Sequence, residues 1–358
     1  MPNNQVAYGF QSLADVMSKR AAEVGAPVIN KAITDTLSEY NRVTDGLMSL
    51  LVEKTTEAKA TYALPGSGTL QPLDEWGNPL PVKGAGTYDV AWPIQGGGTA
   101  WGNNRVSRAM STVADENDNM MEAMRKDADW MRRHAMAALF SNAAYNFNDA
   151  KLGTLSIVPL ANGDAQKYVI GGGSSVTDTH FYAQSAAIAD GANPFPAIKT
   201  ELTEHLGNGT RLVVFLPTNL VTSVTGLTEF VDVNNPDVIS GSGDTLRSDG
   251  SQFRFMGDEV LGHLKGSRIW VTEWRGLPDN YGFALAVDAP KALKMREYPA
   301  AALQGLFPEF HSEDGNTQVK RMIRYAGFGV NNRVAAVPFL IGSATYTPPT
   351  ALTAPLGI

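Results

Sequence analysis

The most sustained hydrophobic periodicity lies at residues 111–140, where Met120, Met124, Ala128, Met131, Ala135 and Leu139 recur three and four apart. That spacing predicts one long helix with a single apolar stripe. Ser111 or Thr112 is placed to cap it, with Asp115, Glu116 and Asp118 in its first turns and Arg132, Arg133 and His134 towards its end. Those charges complement the helix dipole. A helix of this length spans about 45 Å and reads as a spine rather than as filler of a compact core.

Upstream, a short helix is predicted over 12–23, ended by Gly25 and Pro27. Ile29, Ile33, Leu37, Tyr40, Leu47 and Leu51 then mark an amphipathic helix over 28–54, weakened at Thr44 and Gly46. This arm packs either on its own domain or on a neighbouring subunit. Residues 61–110 change character: prolines and glycines crowd around Trp76, Trp92 and Trp101, with a turn signal at Gly77-Asn78-Pro79 and strand-like alternation over 87–94. Tryptophans on so irregular a segment call for something to cover them. A long two-stranded flap lying on another molecule is the predicted form.

Beyond the spine, a strand is predicted at 155–160 and a turn at 162–164. Helix and strand signals then alternate, with helices at 194–206, from Thr218 or Asn219 to 225 and at 258–264, and strands at 211–216, 268–274 and 281–287. They make an α/β unit of about 100 residues around a small sheet, with the loops 226–257 and 275–280 at one edge. Strand-like runs at 317–323, 325–330 and 334–341 follow, and the spine helix is the surface predicted to cover them. The α/β unit would then be an insertion within one domain.

Composition narrows the reading. A chain of 358 residues with 43 % apolar residues holds more than one core or one core with large excursions. Charged residues, at 18 %, are sparse, which suits a surface covered by partners. The net charge of −7 argues against a protein whose main work is to coat nucleic acid. With no cysteine there is no disulfide, thiolate or sulfur-ligated metal. No apolar run reaches membrane-spanning length, and MPNNQVAYGF lacks the parts of a signal peptide, so a soluble protein made in a cytoplasm is expected.

Signals for chemistry are weak. The five histidines (134, 180, 205, 263 and 311) show no metal-ligand spacing, and Glu204-His205 points to two helix faces. Gly171-Gly172-Gly173-Ser174-Ser175 lacks both the P-loop ending and the dinucleotide spacing, and no GxSxG elbow exists. Asp127 and Asp129 are expected to be solvated partners of Arg132 or Arg133, and Lys320, Arg321 and Arg324 to form the solvated face of a strand. No catalytic residue, cofactor site or metal site is predicted, and the expected role is not enzymatic.

The order of parts is nevertheless specific: arm, Trp/Pro/Gly flap, spine helix, inserted α/β unit, returning strands. It resembles the major capsid protein of tailed bacteriophages, an α+β architecture known as the Hong Kong 97 fold. DGNTQVKRMIRYAGFGVNNRVAAVPFLIG looks like that family's returning peripheral strands, and RLVVFLP, SRIWVTEW and YGFALAVDAP look like its axial core. The resemblance implies an N-terminal arm at 1–60, an extended β-hairpin loop at 61–110, a peripheral domain at 111–170 and 301–345, an axial domain at 171–300 and a tail at 346–358.

It further implies pentamers and hexamers closing into an icosahedral shell around double-stranded DNA, held on the inner face without sequence specificity. Trp76, Trp92, Trp101, Lys83, Arg125, Arg132 and Arg133 are the inter-subunit contacts expected on that reading. Assembly in the host cytoplasm, a virion location, and a scaffolding protein, portal and decoration or cement protein as partners follow from the same resemblance. Some members lock the shell with a Lys–Asn isopeptide bond promoted by a glutamate. Lys83 and Asn316, Asn331 and Asn332 are present here, but 315–341 holds no Asp or Glu, so no self-catalysed crosslink is expected. The alternatives are an encapsulin-type nanocompartment, which usually lacks so long an arm, and a small-molecule-binding α/β protein.

Overall fold

The computed structural model describes residues 17–63, 73–78, 87–161, 168–169, 175–176, 179–206, 210–232, 260–313 and 317–354. The helices in chain order are α1 (Ala21–Val24), α2 (Ala26–Met48), α3 (Arg105–Met110), α4 (Val113–Phe140), α5 (Phe195–Leu206) and α6 (Thr218–Thr225). The first strands are β1 (Val52–Thr55), β2 (Lys59–Ala63), β3 (Thr87–Ala91), β4 (Gln95–Asn103), β5 (Tyr145–Asp149) and β6 (Gly153–Ile157). The short β7 (Tyr168–Val169), β8 (Ser175–Val176) and β9 (Tyr182–Gln184) follow, then β10 (Leu212–Leu216), β11 (Phe230–Asp232), β12 (Val260–Leu264) and β13 (Ile269–Glu273). The last are β14 (Tyr281–Ala286), β15 (Leu293–Arg296), β16 (Leu306–Glu313), β17 (Thr317–Val330) and β18 (Ala336–Ile341).

Two compact units emerge. The first takes in the described residues up to Thr44, with Gln95–Met131 and Tyr298–Tyr325. Here Pro27 is the second residue of α2, where its missing N–H costs no helical hydrogen bond. Ile29, Ile33 and Leu37, one turn apart, pack with Met120 and Ala123 of α4 and with Leu306 and Met322 of the strands. The start of α4 is closed by a reciprocal cap. The Asp115 amide donates to Thr112 Oγ1 at 3.2 Å while the Asp115 carboxylate accepts from the Thr112 amide at 2.8 Å. β4 and β16 both pair with β17.

The second unit takes in the described residues of Asp45–Ile94, Arg132–Glu297 and Ala326–Ile358. Its main sheet has seven strands in the order β11-β12-β13-β10-β14-β18-β9. β10 is buried at every position because both faces are covered. Leu212, Val214 and Leu216 join a core with Phe195, Ile198 and Leu202 of α5 and Leu220 and Val224 of α6. On the opposite side Phe215 stacks on Phe283 at 4.8 Å, edge-on to Trp274. Pro338 is tolerated inside β18 because pairing with β9 begins only at Phe339, so no ladder bond is demanded of it on that side. Outside this sheet β2 and β3 form an antiparallel ladder, as do β5 and β6, while β1 runs parallel to β15.

Several expectations are corrected. The helix read over 28–54 is α2, which stops at Met48, because Val52–Thr55 is taken up as a strand by Leu293–Arg296. Residues 260–264 are strand, not helix: an apolar run this short fits either state, and pairing with β13 decides it. Residues 317–330 form one strand, and 336–341 enter the seven-stranded sheet beside β14. The flap is shorter than 61–110, because 95–103 is β4, paired with β17. Its alternation was hidden because the outward positions are Gly96, Gly98, Ala100 and Gly102. The residues predicted as turns at 162–164 and 171–175 lie largely outside the described residues.

Candidate functional surfaces

Within the first unit, charged residues of α4 and β17 meet in the interior. Arg324 Nε and Nη2 donate to Asp127 Oδ1 and Oδ2 at 2.6 and 2.8 Å, a two-point pair. Tyr40 of α2 donates its hydroxyl to Asp127 Oδ2 at 2.9 Å, and Asn41 Oδ1 accepts from Arg324 Nη2 at 3.1 Å. Burial, and then the Asp127 charge, push the Tyr40 phenol well above its ordinary pKa. Three turns earlier on α4, Glu116 pairs with Lys320 at 2.7 Å and accepts from Trp101 Nε1 at 3.0 Å and Asn103 Nδ2 at 3.1 Å.

These contacts correct the expectation that Asp127 is solvated beside Arg132 or Arg133, and that Lys320 and Arg324 face water. Glu116, Met120, Ala123, Asp127 and Met131 form the inward stripe of α4. Glu116 and Asp127 are about 16 Å apart along a helix, and Lys320 and Arg324 about 13 Å apart along a strand. The two spacings nearly match. That pairing of spacings was the available signal, and an apolar-only pattern passes over it. These groups satisfy one another, so they brace the unit rather than act on a substrate. Among the described residues no group of three or more His, Asp or Glu is gathered to hold a metal ion, and no helix is long and apolar enough to cross a membrane.

The second unit has its own buried brace at the root of the β2–β3 hairpin. Trp92 is 0 % exposed, donates Nε1–H to the Val330 carbonyl at 3.1 Å and carries Lys294 Nζ 4.9 Å from its ring centroid. Arg296 reaches the Trp92 carbonyl at 3.1 Å and the Asp149 carboxylate at 2.8 Å. The flap tryptophans therefore divide. Trp92 is interior to its own chain, which corrects its expected place on an outward flap, and Trp101 is half-buried against Glu116.

Trp76 stands 86 % exposed beside Leu73 at 63 %. Its turn is tied by Asp74, whose Oδ1 accepts from the Trp76 and Asn78 amides at 2.9 and 2.7 Å. Gly77 closes the turn at φ +78°, where any side chain would be strained. Arg125 and Arg133 are exposed and Arg132 is half-buried, while Lys83 lies outside the described residues. Leu152, at the tip of the β5–β6 hairpin, is a further exposed apolar residue that the sequence pattern does not single out.

Two titrating groups make the fold sensitive to acid. Burial, helped by the neighbouring Arg133 charge, lowers the His134 pKa from 6.5 to about 4. The unfolded chain then binds this proton first, so stability is full above pH 6.5 and falls as pH drops towards 4. Asp149 is held below its ordinary value by the Lys151 amide, Arg296 and the Leu152 amide, so its contribution is lost below about pH 3.9. Thermal midpoints measured from pH 7 to pH 3 are expected to decline in both windows. His134→Gln flattens the upper window and Asp149→Asn the lower; unchanged profiles would refute the assignment.

No protein-family model matches the chain, and no curated protein matches it in sequence. Among solved structures, a chain of Mycobacterium phage Patience is similar over 97 % of each chain, with TM-score 0.68 and 16 % identity. The capsid structure of cyanophage P-SCSP1u is similar over 81 % of this chain and 86 % of the other, with TM-score 0.48 and 11 % identity. The mature capsid of bacteriophage PhiM1 is similar over 80 % and 83 %, with TM-score 0.48 and 10 % identity. The α+β fold expected from the order of parts is thus the fold the chain has, shared from end to end with a phage protein.

Proposed function

We propose that this chain is the major capsid protein of a tailed bacteriophage. It assembles as pentamers and hexamers into an icosahedral shell around double-stranded DNA. The observation that carries this reading is the correspondence with the Mycobacterium phage Patience chain over 97 % of both chains, at TM-score 0.68. The interior supports it as well. The buried Asp127–Arg324 and Glu116–Lys320 pairs brace the first unit and Arg296–Asp149 the second, and the exposed Trp76 points outward, as a contact surface requires. On this reading Trp76, Arg125 and Arg133 meet neighbouring copies, and DNA is enclosed by a chain of net charge −7 without sequence-specific grip.

Negative-stain electron microscopy of the recombinant protein, beside sedimentation velocity, tests the proposal. Closed polyhedral shells, or free pentamers and hexamers, are expected. Shell diameter then separates a genome-sized container from a small cargo compartment. A chain that stays monomeric when concentrated and mixed with a scaffold partner would overturn the reading.

A further inference from the structure

Lys54 of β1 carries two carboxylates within the second unit. Its Nζ stands 2.6 Å from Asp45 Oδ2, in the last turn of α2, and 3.3 Å from Glu297 Oε2, one residue past β15. The Lys54 and Asp45 side chains are 40 and 38 % exposed, whereas Glu297 is 3 % exposed. The backbone fixes all three. Lys54 lies opposite Met295 in the parallel β1–β15 ladder, and the Glu297 amide donates to the Thr55 carbonyl at 2.9 Å. Between Asp45 and Lys54 the chain turns over the buried Met48 and Leu51. An ordinary surface ion pair involves one carboxylate and parts freely. Here a buried second carboxylate stands on the same amine.

We propose that Lys54 and Asp45 condense into an amide within one chain, with Glu297 carrying the proton. Glu297 takes a proton from the Lys54 ammonium, and the freed Nζ lone pair attacks Asp45 Cγ. The Nζ–Cγ bond forms, one Cγ–O bond breaks, and Glu297 passes its proton to the departing oxygen. That oxygen leaves as one water, with the two protons the ammonium gives up, through the exposed side of the pair. Ammonium and carboxylate thus become amide and water, and no further reactant is needed. Free groups in water resist this condensation, but groups held in reacting geometry act at effective concentrations of about 10⁵–10⁸ M. The amide N–H that remains faces Glu297, which accepts from it. The bond staples the end of α2 to β1. It involves neither Lys83 nor Asn316, Asn331 or Asn332, joins no subunits, and is independent of the shell reading.

Mass spectrometry of the full-length recombinant chain, folded, incubated and then denatured, tests the proposal. A mass one water below that of the sequence is expected. Trypsin is expected to skip Lys54 and to release residues 43–59 as one peptide lighter by one water. Lys54→Arg and Glu297→Gln are each expected to restore the full mass, with circular dichroism reporting that both are folded. Lys54 is exposed, so its variant keeps the test decisive even where Glu297→Gln disturbs the interior. Asp45-Gly46 has a second way to lose water, closure to a succinimide, which mild alkali reopens while an amide survives. A loss that persists in either folded variant, or that alkali reverses, overturns the proposal. So does a wild-type chain that keeps its full mass after prolonged incubation.

Discussion

Replacing Asp127 with alanine is expected to destabilise the unassembled chain by about 3–5 kcal/mol, the usual cost of removing one partner of a buried ion pair. Arg324 is 2 % exposed and the Asp127 side chain 5 %, so neither charge has water to fall back on. In the variant, Arg324 keeps Asn41 but loses its counter-charge, and the Tyr40 hydroxyl keeps only the Met124 carbonyl at 3.1 Å. The pair itself need not be worth that much, because its attraction is offset by the desolvation of both ions. Hence the double variant Asp127→Leu with Arg324→Met, which removes both charges, is expected to recover most of the loss. Urea unfolding midpoints of wild type, single and double variants check this. A single variant within about 1 kcal/mol of wild type would place the pair among exposed salt bridges instead.

That pair also marks where sequence reading runs out. The long helix was legible because an apolar stripe at three and four spacing, capped by Thr112 and acidic at its start, is a local signal. The fully buried β10 was legible for a related reason: LVVFL, between a glycine turn and Pro217, is too short for a stable helix and too apolar for a loop. Buried charge has no such local mark. Asp127 and Arg324 are 197 residues apart, and each alone reads as solvated. Glycine erased the pattern of β4 in the same way, because a strand whose outward positions are three glycines and one alanine shows no polar alternation to count.

The tryptophans carry the same lesson for the candidate surface. All three looked like anchors seeking a cover, and composition could not say which were already covered. Trp92 finds its cover in Val330 and Lys294, and Trp101 in Glu116, all distant in sequence or on another element. Trp76 differs because its neighbours Asp74, Gly77 and Asn78 are spent on closing the turn beneath it. An exposed indole on a tied turn is a surface feature. An indole flanked by Ala91 and Pro93 at the end of a strand is an invitation to bury it.

Trp92→Ala is accordingly the second substitution with a large expected effect. Truncating a fully buried tryptophan costs about 3–5 kcal/mol through lost transfer energy and the cavity left behind. Here it also strands the Val330 carbonyl, adding to the loss. The site has little room to collapse, since a Cβ at Gly327 would sit 2.2 Å from the Pro93 carbonyl and one at Gly329 2.9 Å from the Trp92 ring. The two backbones already touch, so neighbouring atoms are held off the void rather than drawn into it. Because the Trp92 amide extends the β2–β3 ladder to the Ala58 carbonyl at 2.9 Å, the damage should spread outward along the hairpin. Hydrogen exchange is expected to speed up at the amides of Lys59–Ala63 and Thr87–Ala91 well before those of β10. Trp92→Phe keeps most of the volume and loses the N–H donor, so a cost of about 1–3 kcal/mol and a milder exchange effect are expected. Hairpin amides that exchange at the wild-type rate in Trp92→Ala would show that the flap is held by something other than its root.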